Sequence, residues 1–414
     1  MPGGLLRVVT AGSVDDGKST LVGRLLHDAK AVLADQLSAV QLASERRGYA
    51  GADLALLVDG LRAEREQGIT IDVAYRYFAT ARRSFILADT PGHVQYTRNT
   101  VTGASTAEVA VILVDARTGV VEQTKRHLAV TALLRVSQIV LAVNKMDLVD
   151  FAEPVFDAIV ADFAAAAAKL GVGHFTPIPI AALSGDNVVE KSKQMSWYSG
   201  EPLLAFLEQV EPPPARPLPA RLPVQVVIRP RTAEYPDYRG YAGRVEAGVL
   251  RPGDKVRVLP SGQVSAVQAI DTPDGELAAA PAGRSVTVRL TDEIDIARGD
   301  LIAVDAEPLP VVSRELDTTV CWLTDSPLRA GARYQLRHTT RDVLAVVAAI
   351  ESRLDIATLS PLPAAGLDLN DIGTVRIRLA EPVITDPYEL NRSTGAFLLV
   401  DPASGATVAA GLVR

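Results

Sequence analysis

The chain carries a single cysteine, Cys321, so an internal disulfide is excluded. Set among apolar neighbours in Thr319-Val320-Cys321-Trp322-Leu323, that thiol is expected in a buried strand and not as a nucleophile. Long hydrophobic runs are missing, which excludes a membrane-spanning helix. A strand pattern and a glycine-rich loop start within about ten residues of Met1 and leave no room for a signal peptide, so a cytoplasmic location is expected. Net positive charge is missing as well: a formal charge of -7 argues against broad, non-specific binding to nucleic acid. What the sequence does have is bulk. At 414 residues, 48% of them apolar, it exceeds one ordinary domain and can bury two or three cores.

Residues 5–210 alternate short apolar runs with helical patterns. Strands are predicted at 5–10, 71–79, 83–88, 108–114, 138–143 and 174–180, and helices at 17–27, 124–134 and 154–170. Such alternation predicts a mainly parallel sheet with helices on both faces and ligands at the carboxyl ends of its strands. Six of the thirteen residues in 211–223 are proline, a stiff, extended composition that cannot continue a helix or a central strand and reads as a linker. Beyond it the helical period fades. Glycine and proline turns separate strand patterns at 224–229, 240–246, 254–259, 285–290 and 300–304, then at 317–323, 332–338, 344–350, 373–379 and 395–400, with Pro308-Leu309-Pro310 as the seam. The expected layout is an α/β domain over 1–212, a proline-rich linker at 213–223, and two all-β barrels over 224–308 and 309–414.

Gly12-Ser13-Val14-Asp15-Asp16-Gly17-Lys18-Ser19 fits G-x-x-x-x-G-K-[ST]. Gly68-Ile69-Thr70, Asp89-Thr90-Pro91-Gly92-His93 and Asn144-Lys145-Met146-Asp147 follow in that order. One such loop alone matches by chance; four elements in this order, each at a strand end or in a loop, mark a guanine-nucleotide switch. Phosphates need inward-pointing amides with no side chains in the way, which Gly12 and Gly17 permit, and the helix opening at Lys18, Ser19 and Thr20 turns its amides to the anion. Lys18 is expected to neutralise β- and γ-phosphate oxygens, and the Ser19 hydroxyl to bind Mg²⁺. Thr70 is the expected second hydroxyl ligand while triphosphate is present, its loop being released when the γ-phosphate leaves. Asp89 closes an apolar strand and brings a carboxylate near the metal. Gly92 lets its amide approach the γ-phosphate, and His93, next in the chain, is the candidate to position the attacking water. The Asp147 carboxylate can accept hydrogen bonds from guanine N1–H and the exocyclic amine, whereas adenine would leave that charge unsatisfied at a cost of about 1–3 kcal/mol. GTP is therefore expected over ATP, with Asn144 and Lys145 bracing the pocket. His27, His127, His174 and His338 lack such neighbours and read as surface or packing residues.

Longer strings narrow the family. With its four motifs the chain resembles translation-factor-type GTPases. The strings at residues 11–26 (AGSVDDGKSTLVGRLL), 57–78 (LVDGLRAEREQGITIDVAYRYF) and 89–106 (DTPGHVQYTRNTVTGAST), with 185–200, 239–243, 290–300, 386–395 and 401–411, carry a narrower likeness. They resemble the large subunit of bacterial sulfate adenylyltransferase over essentially the whole chain. That resemblance implies an elongation-factor-like fold: an α/β P-loop GTPase domain followed by two all-β barrel domains. It implies GTP and Mg²⁺ as ligands and a heterodimer with a small catalytic subunit that makes adenylyl sulfate and pyrophosphate from ATP and sulfate. GTP hydrolysis in this chain would drive that uphill step. Lys18, Ser19, Thr70, Asp89, Gly92 and His93 fall on the family's switch and hydrolysis positions, and Asn144, Lys145 and Asp147 on its guanine pocket. Val14 and Ile69 match the apolar pair that hinders access of the histidine to the water, and Asp15 matches a residue that helps hold a monovalent cation. Two departures are visible. Asp16 stands where elongation factor Tu-like proteins usually carry histidine, and the last guanine-contacting motif reads Ala181-Ala182-Leu183 where Ser-Ala is usual. The contact to guanine O6 comes mainly from a backbone amide and survives; the bracing hydroxyl is absent, which bears on nucleotide affinity rather than base identity.

Two rivals share this architecture. A translational GTPase delivering aminoacyl-tRNA accounts for the barrels but not for the long strings or the acidic balance, and a regulatory protein with a nearly silent GTPase fits poorly with an intact Lys18, Thr70 and His93. No second phosphate-binding loop lies within these residues, so kinase activity is not expected of them, and neither membrane nor nucleic acid is an expected partner.

Overall fold

The computed structural model describes residues 4–30, 40, 44, 54, 72–212, 217–230, 232–233 and 237–414; Gly68, Ile69 and Thr70 lie outside them. The chain divides into two compact units, Met1–Pro213 with Asp355–Ser360, and Pro214–Leu354 with Pro361–Arg414.

In the first unit the described elements run β1 (Leu5–Gly12), α1 (Lys18–Asp28), β2 (Ala74–Ala79), β3 (Ser84–Asp89), α2 (Thr97–Ser105), β4 (Val109–Asp115), α3 (Glu122–Leu133), β5 (Gln138–Asn144), α4 (Glu153–Lys169), β6 (Thr176–Pro179) and α5 (Leu203–Gln209). The sheet order is β2-β3-β1-β4-β5-β6, and only the β2–β3 pair is antiparallel. Strand β4 shows why such segments read as unbroken apolar runs. Val109, Val111 and Leu113 pack with Leu6, Leu21 and Phe85 on one face, while Ile112 and Val114 pack with Leu128, Ile139 and Phe163 on the other. A strand covered on both faces has no polar side to alternate with. Parallel register then brings the strand ends to one edge: Thr10 lies opposite Asp89, Gly12 opposite Leu113, and Asp115 opposite Asn144. From β1 the chain builds β2 and β3 on one side and then crosses to β4 on the other, making the kind of crevice where α/β sheets hold ligands.

The second unit holds two antiparallel barrels. The first closes when Lys255–Leu259 pairs with Val264–Thr272, the second when Arg333–His338 pairs with Arg341–Asp355. Strand Arg221–Ile228 begins inside the stretch read as linker. Its Pro223, which has no N–H to give a ladder, sits beside the bulge between Val224 and Val226. Several strands run longer than their apolar patterns, Val311–Trp322, Arg341–Asp355 and Ile372–Thr385 among them. Arg221, fully buried, reaches Asp386 in the other barrel (Nε to Oδ2, 3.4 Å) and donates to the carbonyls of Pro219 and Pro308. Leu259, Leu301, Ala303 and Ile384 pack together across the same seam. Cys321 is buried in its strand. No helix among the described residues is long and apolar enough to cross a membrane.

Candidate nucleotide-binding site

The loop between β1 and α1 turns on Gly17, whose φ of 90° lies in the left-handed region that a side chain disfavours. A Cβ there would sit 2.4 Å from Asn144 Nδ2. Lys18 opens α1 and folds back over the loop, donating to the carbonyls of Gly12 (2.9 Å) and Ser13 (2.6 Å). Burial pushes its ammonium pKa down, while the neighbouring carboxylates of Asp89 and Asp16 act the other way. Asp16 is buried under the same loop and accepts from the Ser13 amide at 2.5 Å; burial raises its carboxyl, against the pull of Lys18. Ser19 and Thr20 are half-buried on the first turn, and Val14 and Asp15 are exposed at the loop tip.

Asp89 ends β3 fully buried and accepts from the Thr10 hydroxyl at 2.7 Å, while Thr90 donates to the Thr10 carbonyl at 2.7 Å. Thr10 thus ties the two loops together. Pro91 and Gly92 follow, both buried. A Cβ on Gly92 would fall 2.6 Å from Lys18 Nζ and 2.8 Å from the Ser13 carbonyl carbon, so only glycine fits. His93 comes next, half-buried, with its ring edge-on to Tyr96 at 6.3 Å. Ser19 and Asp89 offer hydroxyl and carboxylate oxygens beside Lys18. That hard, all-oxygen set suits Mg²⁺.

At the end of β5, Asn144 is 2% exposed and makes two contacts that set the site. Its Nδ2 donates to the Asp16 carbonyl (2.7 Å), and its Oδ1 accepts from the Ala182 amide (3.0 Å). Lys145, left-handed at φ 63°, donates to the Asp15 carbonyl and pairs with Asp115 at 2.9 Å. Burial acts to raise the Asp115 carboxyl, but hydrogen bonds from Arg117 and Lys145 outweigh it and hold the group well below the usual carboxylate range. Met146 is fully buried and packs in the core, whereas Asp147 stays half-exposed between it and the exposed Leu148. Ala181 and Ala182 are buried and Leu183 is 70% exposed on the rim.

The sequence-predicted residues therefore gather at one edge of the sheet, except Ile69 and Thr70, which lie outside the described residues. Thr10, Arg24, Asp115 and Arg117 escaped the sequence reading, and His127 was read only as a surface or packing residue. Asp115 left a signal, a carboxylate closing an apolar strand as Asp89 does; Arg24 left none. His127 is buried on α3, 3.2 Å from Gln123, with its pKa lowered to about 3 by burial first and the charge of Lys18 second.

Comparison with known proteins shows the domains and the family. The family model for the elongation factor Tu GTP-binding domain matches residues 4–213, and that for the eEF1A C-terminal-like domain matches residues 315–414. The chain is 54% identical over 412 residues to the bifunctional enzyme CysN/CysC of Mycobacterium tuberculosis H37Rv, covering 99% of itself and 67% of that protein. It is 51% identical over 414 residues to sulfate adenylyltransferase subunit 1 of Aeromonas salmonicida, covering 99% of itself and 86% of that protein.

Proposed function

The chain belongs to the sulfate adenylyltransferase subunit 1 family, with an elongation-factor-Tu-type GTP-binding domain, and from that premise we propose how its residues work. It is the GTPase subunit, and its hydrolysis of GTP drives formation of adenylyl sulfate and pyrophosphate from ATP and sulfate on a separate small catalytic subunit, the two forming a heterodimer. Delivery of aminoacyl-tRNA is not favoured, because the relatives that match nearly end to end are named for sulfate activation.

The observation that carries this reading is Asn144, which holds the phosphate loop at Asp16 and the last guanine motif at Ala182 with one side chain. Phosphates and base are thereby received by a single rigid piece. Lys18 and the amides that follow Gly17 take the β- and γ-phosphates, and Asp147 takes guanine N1–H and its amine. Ser19, Asp89 and Thr70 would hold Mg²⁺, which when bound would spread the charge of the β- and γ-oxygens. Asp15, exposed beside the loop, is the carboxylate for a monovalent cation. Water, oriented by His93, attacks the γ-phosphorus; the bond to the β–γ bridging oxygen breaks, leaving GDP and inorganic phosphate. Little covalent chemistry falls to the protein, so catalysis is positioning and charge neutralisation. Gly92 senses the γ-phosphate because a bare backbone is the only thing that fits against Lys18. Moving a partner between 1:99 and 99:1 occupancy of two states requires about 5.5 kcal/mol of differential affinity between nucleotide states.

The purified chain should bind GTP well above ATP in calorimetry, turn it over slowly alone, and speed up when the small subunit is added together with ATP and sulfate. Equal GTPase rates with and without that subunit, or adenylyl sulfate synthesis indifferent to GTP, would overturn the coupling.

A further inference from the structure

Ala181 lacks the hydroxyl that usually braces the last guanine motif, yet the loop is braced from elsewhere. Arg24, on the second turn of α1, donates from Nε to the Ala182 carbonyl (3.2 Å) and from Nη2 to the Leu183 carbonyl. Two successive peptide oxygens are gripped by one planar fork, which fixes their relative placement where a serine hydroxyl has only one proton to give. The guanidinium also lies across the turn at Gly185, whose φ is 92° and whose Cβ position would be 3.6 Å from Arg24 Cδ. Its remaining nitrogen faces Asp28 at 3.6 Å, and its side chain is only 19% exposed. The Ser184 hydroxyl donates to Asp186 at 2.5 Å and only distantly, at 3.4 Å, reaches the Ala181 carbonyl.

We propose that Arg24 is a positioning residue for guanine recognition: by gripping the Ala182 carbonyl it sets that peptide, and with it the Leu183 amide, toward O6 in place of the missing serine. The inference rests on the guanine-pocket reading above. Arg24 stands six residues after Lys18 on the same helix, about 9 Å along its axis. One rigid element therefore carries the phosphate lysine at its start and the base-loop clamp near its end. Asn144 orients the Ala182 amide, and Arg24 orients the carbonyl of that same residue. Asp147 sits on a different loop and reads a different edge of the base, so the two contributions separate.

The test measures affinities of GDP, inosine diphosphate and 6-thioguanosine diphosphate by calorimetry for the intact wild-type chain, Arg24→Ala and Arg24→Lys. Inosine lacks only the amine read by Asp147, and the thio-analogue weakens only the O6 acceptor. For Arg24→Ala we expect about tenfold weaker GDP binding, equivalent to about 1.4 kcal/mol. Its preference for GDP over the thio-analogue should fall toward one, with the preference over inosine diphosphate retained; Arg24→Lys should recover part of the affinity through one carbonyl. GDP binding within twofold of wild type, or both preferences falling together as in general loosening, overturns the proposal. Should Arg24→Ala fail to fold, Arg24→Lys and Arg24→Gln are judged by the same two ratios. A wild type with no guanine preference at all sinks the pocket reading beneath it, a result distinct from a discriminating wild type beside an unaffected variant.

Discussion

Replacing Asn144 with alanine should separate the phosphate loop from the base loop. The side chain is 2% exposed, and its two contacts are short, 2.7 Å to the Asp16 carbonyl and 3.0 Å to the Ala182 amide. Truncation leaves one buried acceptor and one buried donor without these partners, each costing about 1–3 kcal/mol when unsatisfied. Entry of water into the gap brings the sum to its lower end, about 2–4 kcal/mol. Both loops can relax in the free chain, so most of that cost should appear when nucleotide forces them back into register. GDP affinity should fall at least about thirtyfold, while the unfolding midpoint drops by only a few degrees. Gly17→Ala reaches the same contact from the other side, because its Cβ would stand 2.4 Å from Asn144 Nδ2. The two changes should therefore be non-additive in a double-mutant cycle, with a coupling of about 0.5–3 kcal/mol. Calorimetry with GDP on the four proteins decides it. A GDP affinity within threefold of wild type for Asn144→Ala, or strictly additive losses, would refute the reasoning.

Three further outcomes are expected. His93→Ala should lower partner-stimulated GTP turnover by about a hundredfold, the usual scale for removing a group that handles the reacting water, while GTP affinity stays within a few fold; undiminished turnover would remove His93 from the mechanism. His127 is held neutral, with a pKa of about 3 against an ordinary 6.5. Below pH 6.5 the unfolded chain binds a proton that the folded chain refuses, so stability should fall by up to about 1.4 kcal/mol per pH unit on acidification. His127→Gln should flatten that slope in denaturant titrations at pH 7, 6 and 5, and an unchanged slope would count against the buried-neutral assignment. Asp386→Ala leaves the buried Arg221 guanidinium without its carboxylate. Breaking such a pair costs about 3–5 kcal/mol, and urea unfolding that shifts by less than about 1 kcal/mol would show the contact to be dispensable.

The α/β part was legible because a doubly covered parallel sheet writes itself as apolar runs, as β4 does from Val109 to Asp115. The barrels were legible only in part. Arg341–Asp355 carries Asp342, Glu351 and Arg353 among its apolar residues, and Val264–Thr272 exposes Gln268 between the buried Val267 and Ala269. One solvated face makes such strands look shorter than they are, or hides them. Linker and strand could not be told apart at Arg221–Pro223, since proline density marks stiffness and a bulge can absorb a missing donor as well as a linker can.

By itself the sequence determined the local chemistry: the buried Lys18 one residue after Gly17, the glycine that fits against it, and the carboxylates that close apolar strands. These follow from neighbours a few positions apart, where spacing alone sets geometry. Tertiary structure decided what those groups lean on. Asn144 meets Asp16 across 128 residues and Ala182 across 38, Arg24 meets Ala182 across 158, and Arg221 meets Asp386 across 165. No periodicity encodes such pairs, because they exist only once strand register has brought distant loops to the same edge.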